Sequence, residues 1–469
     1  MADFYYQDYL EAQDRAKFVW DAIQSHKQTQ AYKTALDADE YEAQRNVTIN
    51  EYVQKVFTLG GLSFADYTAT NSKIASNFFH RLNTQRCLYS LGNGVSFLQP
   101  DEDQGGGDKV KDKLGKHFDH RVKEAAYYAL IHGVAFLYWN VDHVHVFKLT
   151  EFVPIYDVYN GALMAGIQFY DLGQKRGTIA TLYTPEGFMK FYQDERLDMK
   201  FMAWDDDFTV YQRATYYLPA EDKTWTEDIG NYDGALPIFP MWAGRSKQST
   251  LIGMREAIDS YDLICSGFAN DLSDVAQVYW LMKNAGGMNE ADLEQFRERL
   301  KFTHIAKVDG TDGAGVEPYT QEIPYQARDN YLNLLRNSIY ENFGALDVHT
   351  VAAGATNDHI DAAYQPMDEN ADDFEYWVGD CIERLLALLG IEDTPVFKRN
   401  RISNQLEQVQ MVAIESQWLD TQTILKKLPN LDAEEVQAVL EATEAGEAAR
   451  LGLELDGTQA ATEPQGAGL

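Results

Sequence analysis

The chain has 469 residues, of which 45% are hydrophobic and 13% aromatic, and it carries 40 Lys and Arg against 73 Asp and Glu for a formal net charge of -33. This length supports about two to four domains with a sizeable core, and the apolar fraction excludes a chain disordered throughout. A surface built to grip phosphates has the opposite charge, so tight nucleic-acid binding is excluded, whereas an acidic wall suits DNA that passes without sticking.

Cys87, Cys265 and Cys381 are far apart and no CxxC occurs. That fits a reducing compartment, with no disulfide framework and no zinc site. The first residues lack a basic region followed by an apolar run, so no secretion signal is expected. Apolar runs such as residues 134–139 are too short to span a bilayer.

Taken in order, residues 1–58 read as polar helix. Residues 71–91 are amphipathic, with Ile74, Phe78, Leu82 and Tyr89 as a helical stripe that stops at Gly92, Asn93 and Gly94. Residues 104–108 (QGGGD) read as a flexible loop and 108–133 as helix. From Val134 to Trp242 short β-branched and aromatic runs take over. A hairpin is expected around Val141, Asp142 and His143, within a chain of hairpins. Pro237 and Pro240 in PIFPMW predict an extended connector at its end.

Residues 251–275 predict a long helix. Met254, Ile258, Tyr261, Cys265, Phe268, Leu272 and Val275 are spaced 4, 3, 4, 3, 4, 3, which keeps one apolar seam on one face. Asp259, Asp262, Asp271 and Asp274 lie on the other faces. A narrow seam with an acidic back predicts packing along neighbouring helices. QVYWLM reads as a strand, 289–300 as a helix, and 304–308 and 316–323 as strands around a glycine-rich turn. A second long helix follows from Pro324 to Leu346, with Leu332, Leu335, Ile339, Phe343 and Leu346 as its apolar face. Two long helices therefore flank a small α/β insertion, a stalk with a head.

Residues 347–363 (DVHTVAAGATNDHIDAA) have no helical stripe, and a loop this long among helices is functional or disordered. Residues 365–390 return to helix. Asp368, Glu369, Asp372 and Asp373 are expected in its first turns, against the positive end of the dipole, and Trp377, Cys381, Leu385 and Leu388 form its apolar face. VFKRNRISN is the one basic patch. Residues 405–450 read as two or three short helices split at Leu428 and Pro429.

Motifs for phosphate binding, zinc hydrolysis, nucleophilic serine or dinucleotide binding (GxxxxGK[ST], HExxH, GxSxG, GxGxxG) are absent. His143 and His145, two apart on a strand, have the spacing of half a metal site, but a plain exposed strand explains them as well and is the reading adopted. Asp205, Asp206 and Asp207 read as a charged turn, and residues 309–317 lack calcium-loop spacing. No catalytic residue, metal or cofactor is expected.

Several stretches, in one shared order, resemble the portal proteins of tailed double-stranded DNA bacteriophages, the siphophage-type portal family. IDSYDLICSGFANDLSDV resembles the stem helix. NSKIASNFFHRLNTQRCLYSLGN resembles the helix before the wing. EAAYYALIHGVAFLYW followed by FKLTEFVPIYD resembles the strand that runs into the wing. PIFPMWAGRSKQSTLIGMREAIDSYDLICS resembles the junction into the first stem helix, and IPYQARDNYLNLLRNSIYENFGALDV the second stem helix. FKRNRISNQLEQVQMV, with Leu428 and Pro429 beyond it, resembles the start of the crown.

The resemblance implies an α+β portal fold. Residues 1–250 would form the wing, N-terminal helices then a strand-rich part. Residues 251–275 and 324–346 would form the stem, 276–323 a small α/β clip, and 347–363 a tunnel loop. Residues 364–398 would be a long helix returning to the wing, 399–452 a helical crown and 453–469 a disordered tail. The tunnel loop would bring Val348, His349, Thr350, Val351, Ala352, Ala353, Gly354, Ala355, Thr356, Asn357, Asp358 and His359 to the channel. The stem seam would line up with copies of itself.

The resemblance further implies a homo-oligomeric ring, a dodecamer, at one capsid vertex of the virion, assembled in the host cytoplasm. Double-stranded DNA would pass through it without sequence specificity, for packaging and ejection. The terminase large subunit would dock on the clip, and head–tail connector or adaptor proteins would replace it. Major capsid and scaffold proteins would be neighbours, and no membrane is involved. The chain is not expected to be an enzyme, so the force must come from the motor. The bland tip from Val351 to Ala355 argues against a strong grip on phosphate. The alternative is another acidic ring-forming virion structural protein, a connector or adaptor, which would lack the clip insertion.

Overall fold

The structure, a computed structural model, describes residues 4–57, 62–66, 70–97, 108–173, 176–194, 199–218, 223–275, 279–283, 315–319, 325–347 and 357–401, with the single residues 412, 424, 425 and 439. The fold is mixed α+β. Two units are distinguished, Met1–Ala345 with Glu369–Asn400, and Leu346–Asp368 with Arg401–Leu469.

The first unit opens with α1 (Tyr6–Glu11), α2 (Arg15–Gln28), α3 (Gln30–Glu42) and α4 (Val47–Glu51). Asp14, Thr29 and Asn46 cap the last three, each side chain accepting a backbone amide of the first turn. Such caps contribute about 1 kcal/mol each. The pair β1 (Lys55–Phe57) and β2 (Ser63–Ala65) follows, then α5 (Phe78–Leu91), β3 (Val95–Phe97), α6 (Asp108–Leu114) and α7 (Phe118–His132). The helix expected from residue 71 begins only at Phe78. Ile74, assigned to its stripe, is exposed, because the amides of this segment bond to another helix instead.

The strand-rich region holds β4 (Val134–Asn140), β5 (His143–Lys148), β6 (Phe152–Tyr156), β7 (Leu163–Asp171), β8 (Thr178–Thr184), β9 (Gly187–Tyr192), β10 (Met202–Ala203), β11 (Gln212–Leu218), β12 (Lys223–Gly230) and β13 (Ile238–Trp242). The expected chain of hairpins is present as a five-stranded meander, β10-β9-β8-β7-β6, and a separate β11-β12 hairpin. The β4–β5 hairpin turns at Val141 and Asp142, since Asn140 pairs with His143. The expected extended connector is instead the strand β13, paired with β4 in a sheet of order β13-β4-β5. Pro240 is tolerated because β13 is an edge strand, where a missing N–H can face away from the ladder.

The remaining elements are α8 (Arg255–Val275), β14 (Tyr279–Lys283), β15 (Gly315–Tyr319), α9 (Tyr325–Phe343), α10 (Asn357–Leu388) and β16 (Pro395–Phe397). Strands β14 and β15 pair antiparallel at the base of the insertion; the expected helix 289–300 and strand 304–308 lie outside the described residues. So do most of the crown, the tail and the loop 104–107.

Helix α10 starts at Asn357, earlier than the sequence pattern predicts, and carries Pro366 in its interior. Proline lacks the amide for one helical bond and crowds the preceding turn, which is why the pattern suggests a start near it. Asp368, Asp372 and Asp373 are therefore not in the first turn and do not serve the dipole. Asp372 and Glu375 instead hold Arg399, and Asp373 accepts the amide of Arg245 at 2.8 Å. In the second unit, Asp361 and Asp368 hold Arg401. The one basic patch thus has its arginines matched by the acids of α10.

The core of the first unit is layered. Val19 and Ile23 of α2 cover Ile167, Leu182 and Phe191 of the five-stranded sheet. Phe136 and Phe147 pack on Phe152, with ring centroids 4.5 and 5.4 Å apart, and join the two sheets. Helix α7 and the C-terminal part of α10 share one core with β4 and β13, burying Val122, Ala126 and Ala129 with Leu137, Met241, Val378 and Leu385.

Candidate functional site

The long helices α8 and α9 pack against each other. Their base is fixed by residues 249–251. Thr250 Oγ1 donates to Leu130 O at 2.9 Å, with Asn83 Oδ1 2.8 Å away, and Ser249 Oγ donates to Ile131 O. Gly133 makes this approach possible. Its φ is +90°, and a Cβ there would lie 2.7 Å from the carbonyl carbon of Gln248.

The expected seam faces its own subunit at this end. Met254 and Ile258 are buried with Phe78, Leu82, Ile339, Tyr340 and Phe343. Tyr261 is half-buried and meets Phe78 edge-on at 5.0 Å. Phe268 lies under the guanidinium of Arg328, 5.6 Å from its ring centre, and Arg328 pairs with Asp271. Cys265 is half-buried, Leu272 is exposed, and the side chain of Val275 lies outside the described residues. The spacing rule finds an apolar face correctly, but the partner for its first half is α5 and α9 of the same chain.

The acidic back is also occupied. Asp262 Oδ1 accepts the amide of Ser76 at 2.9 Å, Ser266 Oγ that of Ile74 at 3.0 Å, and Asn270 Oδ1 that of Ser72 at 2.7 Å. Asp262 Oδ2 also accepts from Asn46 Nδ2 at 2.9 Å. Burial pushes the Asp262 carboxyl above its ordinary value, against the pull of the bonds from Ser76 and Asn46. Asp259 accepts from Thr48 Oγ1 at 2.7 Å and from the Tyr41 hydroxyl. Burial, then the bond to Asp259, raises that phenol to about 12. Arg255 reaches Asp37 at 2.6 Å.

A third side remains. Leu263 is 43% exposed on α8, and on α9 Tyr331 and Leu334 are 46% and 62% exposed. Between the helices runs a groove of about 460 Å³ lined by Leu263, Ile264, Gly267, Phe268, Ala327 and Tyr331. Arg328 Nη1 is buried at this groove and meets no acceptor among the described residues. The spacing rule does not select Leu263, Tyr331 or Leu334, which are off both predicted stripes.

Of the tunnel-loop positions, Val348, His349, Thr350, Val351, Ala352, Ala353, Gly354, Ala355 and Thr356 lie outside the described residues. Asn357, Asp358 and His359 open α10. Among the described residues no helix is long and apolar enough to cross a membrane, and no group of three or more His, Cys, Asp or Glu comes together as metal ligands.

The chain is similar to two known portal proteins. It is 26% identical over 390 residues to that of Clostridium phage phiCD119, spanning 77% of this chain and 82% of the relative. It is 25% identical over 333 residues to that of Bacillus phage SPP1, spanning 67% of this chain and 61% of the relative. The family described as phage portal protein, SPP1 Gp6-like, matches residues 21–448. The chain belongs to this phage portal family.

Proposed function

We propose that copies of this chain assemble into a ring-shaped channel at one capsid vertex. Double-stranded DNA is packaged and ejected through it, and terminase and head–tail connector proteins dock on it. Family membership over residues 21–448 supports this role. The observation that carries the assembly is the free side of the paired helices. Single exposed apolar residues are normal on a monomer, but a contiguous set marks a contact surface. Leu263, Tyr331 and Leu334 are exposed on α8 and α9, while the first half of the α8 seam and its polar side are engaged within the subunit. A second copy is the occupant that repeats this contact around a closed ring.

Twelve copies, the wing, stem, clip and crown boundaries, and a channel-facing segment at 347–363, whose residues from Asn357 on begin α10, are parts of the same proposal. A net charge of -33 per copy favours an unbound passage, since an acidic wall offers phosphate no counter-charge. The role is structural and virion-associated, and assembly takes place in the host cytoplasm.

Native mass spectrometry with negative-stain imaging tests the reading. A closed ring with a hole wide enough for duplex DNA is expected. A chain that stays monomeric in salt, with divalent ions and with capsid protein present overturns it.

A further inference from the structure

His143 and His145 lie two apart on one face of β5, and their Nε2 atoms are 2.9 Å from each other. The two rings meet edge-on with centroids 4.5 Å apart. The second nitrogen of His143, Nδ1, is bonded to the Asp142 carboxylate. A carboxylate only accepts, so Nδ1 carries the proton of the neutral ring and Nε2 presents a lone pair. This is the arrangement by which a carboxylate orients an imidazole ligand from behind. His145 is steadied by Tyr138, whose ring is nearly parallel at 6.4 Å. It forms one wall of a cleft of about 320 Å³ with Tyr138, Phe147, Gln168, Tyr183 and Lys190.

We propose that His143 and His145 chelate one divalent transition cation of the nickel or copper class through their Nε2 atoms, with Asp142 orienting His143. The hydrogen-bonded spacing lies nearest the bite of this class. Two nitrogens each about 2.1 Å from an ion stand about 3.0 Å apart at a right angle and about 3.4 Å apart at a tetrahedral one. The observed 2.9 Å matches the right-angled bite of an octahedral or square-planar ion. Without the ion, His145 Nε2–H donates to the His143 lone pair. On binding, that proton moves through solvent to His145 Nδ1, and both Nε2 lone pairs face the metal. Side-chain exposure of His143 is 44%, so the ion enters from solvent. The remaining positions are filled by water, and the ion is exchangeable.

The inference is independent of ring assembly. Untagged full-length chain is titrated with nickel chloride by calorimetry, and nitrogen ligation is read by electron paramagnetic resonance with copper. One equivalent per chain is expected. His143→Ala and His145→Ala should each weaken it more than about tenfold, and Asp142→Asn by about tenfold. Asp142 and His143 sit at the turn end of the hairpin and His145 is partly exposed, and circular dichroism confirms that each variant folds. Equal affinity in the wild type and the double histidine variant, or no uptake by the wild type, overturns the site. An Asp142→Asn variant with unchanged affinity overturns the orienting role.

Discussion

Asn270 accepts the backbone amide of Ser72 through its side-chain oxygen at 2.7 Å, and this bond is the last rung of a ladder. Ser266 and Asp262 repeat it on Ile74 and Ser76. The rungs match because four residues of helix rise about 6 Å and two residues of extended chain about 6.6 Å. A helical polar stripe therefore holds every second amide of a straight strap for three steps. The strap joins β2 to α5, so it ties α8 to the N-terminal half of the chain.

Removing the acceptors should free the strap without unfolding the subunit. Ser266→Ala and Asn270→Ala each leave an amide without its partner, at a cost of about 1 kcal/mol. Hydrogen exchange at Ser72 and Ile74 should then quicken by about fivefold per kcal/mol. Exchange unchanged in the double variant would mean that these amides are protected by something other than the ladder.

This ladder also shows where sequence reading stops. Period and turn chemistry are local, so α8, the β4–β5 hairpin and the meander are visible in the residue spacing. The acids of α8 look like a solvated back, because nothing local reveals that Asp262 caps the amide of a residue far away in sequence. Likewise Pro237 and Pro240 announce an extended segment, but not that it pairs with β4. Pro366 suggests a boundary that long-range packing of α10 overrides. The seam illustrates the same limit for the site. Its apolar face is legible from spacing, while the helix it meets is a property of the fold.

Val141 carries a strained backbone. Its φ is +63° at the two-residue turn between β4 and β5, a conformation that costs a β-branched residue about 1–2 kcal/mol. Its side chain is 45% exposed, so little burial is lost on replacement. Asp142 N donates to Asn140 O at 2.7 Å across Val141, a tight turn that glycine, without a Cβ, enters most easily. Val141→Gly should therefore raise stability by up to about 1 kcal/mol, measured as a higher urea midpoint with an unchanged slope. A lower midpoint would contradict the strain argument.

His26 makes the N-terminal layer acid-sensitive. It is buried, and its Nε2 donates to Leu149 O at 2.9 Å. Burial, first among the causes, holds the imidazole below its ordinary value of 6.5. The folded state thus binds the proton less readily than the unfolded state. Its contribution is fully present above pH 6.5 and is lost as pH falls toward the depressed folded value. Denaturant midpoints measured from pH 8 to pH 5 should fall more steeply in the wild type than in His26→Gln, which retains a donor but no titration. Parallel curves would remove His26 as the source.

Ile258 and Leu263 test the stem from its two sides. They are five positions apart on α8, yet Ile258 is 1% exposed in the subunit core and Leu263 is 43% exposed beside the open groove. An aspartate at 258 would be a charge buried among Phe78, Ile339 and Phe343 and should cost more than about 3 kcal/mol. The same residue at 263 stays in water in the isolated chain and costs almost nothing. In a ring it would be buried against the next copy. Leu263→Asp should therefore keep the melting temperature of the subunit and abolish rings in negative stain, while Ile258→Asp should lose the fold itself. Normal rings from Leu263→Asp would place the subunit contact on another face. A stable, folded Ile258→Asp would mean that the first half of the seam looks outward after all.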